Sequence, residues 1–124
     1  APMEGMKALT KEDVQPLYKK NYWDVIHADK LPSGVDISVA DLCVNAGPSR
    51  AVKILQKATG DLVVDGAIGK MTIAAVHNRD PKELLDNYYY GRQKFYEGLD
   101  DFKHYGKGWT RRNKETLELA LSIV

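Results

Sequence analysis

Asp41 lies in "DISVADLCVNAGPSR", residues 36–50, between Ser38 and Asn45 in a run that is otherwise almost wholly apolar. Spacings of three and four place these three side chains on one face of a helix. Two kinds of chemistry suit such a stripe. At the wall of a polar cleft, the Asp41 carboxylate acts on a proton or orients a water, and Asn45 holds a substrate amide or hydroxyl beside Ser38. Enclosed instead, the trio satisfies nearby loop backbone, because buried polar groups are normally paired. Periodicity leaves both readings open. Asp41 is the candidate auxiliary catalytic residue, with Ser38 and Asn45 as candidate substrate contacts.

Other positions carry weaker signals. "NYWD", residues 21–24, puts Tyr22 and Trp23 beside hydrogen-bonding groups at a helix end, an arrangement that suits carbohydrate and equally suits half-buried packing. Arg92 falls within the apolar stripe of Leu84, Leu85, Tyr88, Phe95 and Tyr96, where its charge needs a carboxylate or several carbonyls. Tyr88, Tyr89 and Tyr90 point in three directions around one helix, so at least one ring is expected at the surface. The single Cys43 excludes an internal disulfide and reads as a buried thiol. His27, His77 and His104 lack metal-ligand spacing, and no metal or organic cofactor is expected.

The elements that must position these residues are helical. A helix is expected from Thr10 to about Tyr22, disturbed at Pro16, followed by a loop holding Pro32 and Gly34. Asp36 is expected to cap the helix that stops near Gly47. Pro48 suits the first turn of the next, which ends at Thr59 with Gly60 as its stop. Further helices are expected at about Lys70–Asn78, from an Asp80 cap to about Tyr96 with closure at Gly98, and from Trp109 or Thr110 onward. "DDFKHYGKG" reads as an irregular or short helical link, and "LVV" is too short to imply a sheet. The fold class is all-α, with about six helices and short connections.

Bulk composition bounds the partners. The 124 residues carry a net charge of +1, which gives no field favouring nucleic acid or an anionic membrane. No apolar run is long enough to span a bilayer, so membrane insertion is not expected. Between Leu55 and Val76, Gln56, Gly60, Asp65, Gly66, Gly69 and Thr72 fit a helix, a tight turn and a second helix. Asp65 is placed there to bond the turn's own amides.

That spacing, L-Q-x3-G-x4-D-G-x-x-G-x-x-T-x-x-A-V, resembles helical peptidoglycan-binding domains. Together with "ALTKEDVQPLYKKNYWD", "VNAGPSRAVKILQ" and "GWTRR", it resembles the glycoside hydrolase 108 family from about Ala8 onward. The family comprises N-acetylmuramidases: phage endolysins and bacterial proteins once called secretion activators. The resemblance implies a lysozyme-like helical body and cleavage of the β-1,4 bond between N-acetylmuramic acid and N-acetylglucosamine. It implies that Ser38, Asp41 and Asn45 face a glycan groove, with Tyr22 and Trp23 near it. The family's general acid is a glutamate in an E-G-G-Y-like motif. "MEGMK" offers Glu4-Gly5 without the rest, and Glu4 is not assigned to that role. The expectation is a truncated muramidase, nearly inactive alone, with residues 1–35 as a remnant of the catalytic region and residues 36–124 as a peptidoglycan-binding-like domain. The expected partner is peptidoglycan at the bacterial cell wall, in the periplasm, with homodimerisation through surface bared by truncation. A non-catalytic peptidoglycan-binding module is the alternative.

Overall fold

The structure, a computed structural model, describes residues 20–124, with side chains from Trp23 onward. Most of the helix expected from Thr10 lies outside the described residues; the first described helix is α1, Lys20–Val25. A 3-10 turn, Ala28–Lys30, leads to α2, Val35–Ala46. Then come α3 (Pro48–Thr59), α4 (Lys70–His77), α5 (Pro81–Glu97) and α6 (Phe102–Ile123). Among the described residues the fold is all-α with six α-helices and no strand, as expected. No helix among them is long and apolar enough to cross a membrane.

Helix α2 is the centre of the body. Every residue from Val35 to Cys43 is buried, and α2 packs against α3, α5 and α6. Its start differs from the sequence expectation. Gly34, not Asp36, is the N-cap, at φ +94°, and a Cβ there would come within 2.7 Å of the Ala120 carbonyl oxygen in α6. Only glycine accepts both the left-handed backbone and that approach. Asp36 still serves the helix end from inside the first turn: its Oδ1 accepts from the amides of Gly34 (3.0 Å) and Ile37 (2.7 Å).

Pro48 and Gly60 bound α3 where expected, and α5 closes at Gly98. Asp80 is the N-cap of α5, but its side chain makes no capping hydrogen bond. Leu84, Leu85, Tyr88, Arg92 and Tyr96 form the buried stripe of α5, with Phe95 half-buried beside it.

The last helix requires a correction. It begins at Phe102, not at Trp109, and runs unbroken through Gly106 and Gly108. The Phe102 ring lies over Gly106, so close that a Cβ there would meet it at 2.8 Å. Trp109 then gathers Phe102, Tyr105 and Tyr96 around it, with the Tyr96 and Trp109 rings stacked at 5.3 Å. Contacts among these rings, of which only Tyr96 is buried, act against the helical cost of two glycines, about 1 kcal/mol each.

Candidate functional site

The Asp41 carboxylate lies where α2, α5 and α6 meet, and its side chain is 2% exposed. Arg92 on α5 donates from Nη2 to Oδ2 at 2.6 Å. Arg112 on α6 donates from Nη2 to Oδ1 at 2.5 Å, and from Nε at 3.1 Å. Thr116 Oγ1 stands 3.2 Å from Oδ2, sharing its single proton with the Arg112 carbonyl at 2.8 Å. The Arg92 Nε donates to Tyr96 Oη at 2.9 Å, and its guanidinium lies 5.5 Å from that ring's centre. Burial alone raises the Asp41 pKa. The hydrogen bonds and charges of Arg112 and Arg92 outweigh that cost and hold the carboxyl below its ordinary value. A carboxylate so engaged is anionic at neutral pH and a poor proton acceptor. The need of Arg92 for a carboxylate was legible in the sequence, whereas Arg112 was missed as a partner of Asp41, although it closes the "GWTRR" stretch.

The predicted stripe is therefore divided. Ser38 is 4% exposed and borders a cavity of about 10 Å³ with Tyr88, Arg92, Asn113 and Thr116, far too small for a sugar. Asn45 is exposed near the end of α2. Ser38 and Asp41 share the same buried surroundings and Asn45 faces outward, so the three do not line one open trough in this structure. Trp23 is fully buried, and its indole Nε1 donates to Asp29 Oδ1 at 2.9 Å, leaving no ring face for a sugar to stack on. The side chain of Tyr22 lies outside the described residues.

Gln56 explains the turn-bearing motif. It is buried on α3, where its Nε2 shares two hydrogens among three acceptors, Asp65 Oδ1 (2.9 Å), the Ala67 carbonyl (3.0 Å) and Thr72 Oγ1 (3.2 Å). Its Oε1 accepts from the amides of Asp65 (3.1 Å) and Gly66 (3.0 Å). Asp65 in turn accepts from the Ala67 amide at 3.0 Å, the local turn bond expected from sequence. Gly66 holds φ +80°, where a Cβ would meet Ser49 Oγ at 2.8 Å. One amide side chain thus pins residues 65–67 against α3.

Beside this turn lies a cleft of about 990 Å³ between α3 and α5. Arg50, Lys53 and Lys57 line it from α3 at helical spacings of three and four, facing Asn87, Tyr90 and Lys94 on α5. Its floor includes Ile54, Ala58 and Gly91, where the helices approach so closely that a Cβ on Gly91 would stand 3.0 Å from Ile54 Cγ2. Tyr90 is the exposed ring expected among the three tyrosines, at 64%. Tyr88 turns inward and donates to the Ala51 carbonyl at 3.0 Å, its pKa raised chiefly by burial. The sequence reading missed this cleft. The repeated basic residues of α3 were its signal.

Comparison with known proteins places these features. Residues 2–47 match the family described as Glycosyl hydrolase 108, and residues 50–114 match that described as Predicted Peptidoglycan domain. No curated protein matches the chain. Among solved structures, that titled "Structure of Brucella abortus SagA" is similar with a TM-score of 0.82 and 39% sequence identity, covering 94% of this chain. This chain spans 66% of the length of that one. Asp41 falls within the first match and both its arginines within the second, so the buried ion pairs tie the two segments together. The chain belongs to the predicted peptidoglycan domain family, which it matches over more than half its length, and carries the glycosyl hydrolase 108 segment directly ahead of that domain.

Proposed function

We propose that this chain binds peptidoglycan through the α3/α5 cleft, as the wall-engaging body of an N-acetylmuramidase of endolysin or secretion-activator type. The observation that carries the reading is coincidence in the chain: the cleft is lined almost entirely from within residues 50–114, the peptidoglycan match. The glycosyl hydrolase match ahead of it supports cleavage of the glycan as the reaction of the whole protein. Such cleavage proceeds by protonation of the glycosidic oxygen and an oxocarbenium-like transition state. Asp41 serves that reaction as a positioning residue, anchoring α2 to α5 and α6. The packing of α2 onto α3, α5 and α6 supports residues 36–124 as one body, with residues 1–35 contributing to the muramidase region.

The chain has no E-G-G-Y-like motif, and lack of a general acid costs a factor of about 10² to 10⁴ in rate. The chain alone is therefore expected to sediment with purified sacculi and to clear a wall suspension slowly or not at all. Retention without hydrolysis supports a binding body. Rapid clearing would show that an acid is present and misassigned, and failure to sediment would remove the peptidoglycan reading.

A further inference from the structure

Resting on that reading, we propose that the α3/α5 cleft recognises the carboxylates of peptidoglycan's stem peptide, not the glycan alone. Four cations line the cleft, Arg50, Lys53, Lys57 and Lys94, and no aspartate or glutamate joins them. The chain as a whole is close to neutral, so with these four set aside its acids outnumber its bases. The cleft is thus a local concentration of positive charge. In intact peptidoglycan the glycan strand presents hydroxyls and neutral acetamides, the lactyl carboxyl of each muramic acid being held in the amide that bears the stem peptide. The strand therefore calls for hydrogen-bonding groups and stacking rings and gives four cations little to neutralise. The stem peptide presents free carboxylates at intervals along an extended backbone, with alanine methyl groups between them.

The remaining lining fits that mixed chemistry. The Arg50 guanidinium lies 4.9 Å from the centre of the Phe95 ring, which holds it at the cleft edge. Ile54 and Ala58 supply apolar floor for small side chains, and Asn87 on the opposite wall supplies amide hydrogen bonding. The volume, about 990 Å³, accommodates a peptide of several residues with part of its attached sugar. Exposed lysines contribute weakly one at a time and are screened by salt, so this recognition is cooperative among the four and sensitive to ionic strength.

The test compares retention of the full chain on intact sacculi with retention on sacculi stripped of stem peptides by an amidase, the lactyl carboxylates so freed being capped as methylamides. It includes Lys53→Glu/Lys57→Glu and, as a contrast, Lys103→Glu/Lys107→Glu in a separate basic depression on α6. Circular dichroism confirms that each variant is folded, and Lys94→Gln supplies a milder change in the same cleft. The expected result is a loss of about tenfold or more in affinity on stripping and for the Lys53/Lys57 pair, a smaller loss for Lys94→Gln, and near-native retention for the α6 pair. Equal retention on intact and stripped sacculi would overturn the stem-peptide proposal while leaving peptidoglycan binding in place. Equal losses from both charge-reversed pairs would reduce the effect to general attraction and overturn it as well. No retention on either preparation would sink the underlying reading together with this one.

Discussion

Replacing Asp41 with asparagine removes a charge at the meeting point of three helices and leaves Arg92 enclosed without its carboxylate. The Arg92 side chain is 1% exposed and bonded at 2.6 Å, so it has no route to water without rearrangement of α5. Breaking a buried pair from one side costs roughly 3–5 kcal/mol. Arg112 adds little to this, about 0–1 kcal/mol, because its side chain is 54% exposed and returns to solvent. With a urea dependence of about 2 kcal/mol per molar, the midpoint of unfolding falls by roughly 2 M, read by far-UV circular dichroism. Asp41→Leu combined with Arg92→Met recovers most of the loss, since both enclosed charges are removed and the half-exposed Arg112 is hydrated. Arg112→Gln leaves the buried Asp41 Oδ1 with a weaker donor and lowers the midpoint by about 0.5–1.5 M, less than Asp41→Asn. Folding lowers the Asp41 pKa, so on acidification the unfolded chain takes up this proton before the native state does. The stabilisation is complete above about pH 4 and is lost as pH falls through the lowered native value. Asp41→Asn therefore flattens the acid limb of the stability profile. An Asp41→Asn midpoint within about 0.5 M of the native chain, or an Arg112→Gln loss as large as that of Asp41→Asn, would refute the reasoning.

Four further outcomes follow from the surroundings of the cleft. Gln56→Ala leaves the Asp65 and Gly66 amides without their acceptor and costs about 2–3 kcal/mol, with faster hydrogen exchange at those two amides. Gly66→Ala forces a left-handed backbone on a residue with a Cβ that also crowds Ser49, lowering stability by about 1–2 kcal/mol in chemical denaturation. Tyr88→Phe deletes one buried hydrogen bond while keeping the ring, a loss of about 1 kcal/mol by the same measurement. Cys43 is buried with its pKa raised by that burial, so a thiol reagent labels it only as the protein unfolds.

The parts of the fold legible in sequence were those set by local backbone chemistry. Pro48 and Gly60 bound α3 because proline fits a first helical turn and glycine accepts φ +81° after the last. The beginning of α6 was hidden because Gly106 and Gly108 weaken a helix locally, and the packing of Phe102 and its neighbours around Trp109, which acts against that weakness, is tertiary. Gly34 took the capping place expected of Asp36 for a tertiary reason, the approach of Ala120. The charge on Arg92 announced that it needed a partner, but Asp41 lies 51 positions away, beyond any helical periodicity. The cleft escaped notice for an opposite reason. A net charge of +1 averages away a cluster of four cations, and the spacing of Arg50, Lys53 and Lys57 has meaning only once α5 supplies the facing wall.

The most direct measurement is residue-resolved. Adding soluble disaccharide-peptide fragments to isotopically labelled chain and following amide chemical shifts locates the contact without relying on any variant. Saturable shifts concentrated at Arg50, Lys53, Lys57, Tyr90 and Lys94, with α6 undisturbed, are the predicted result. Shifts centred on α2 around Ser38 and Asn45, or none at millimolar fragment, would contradict it.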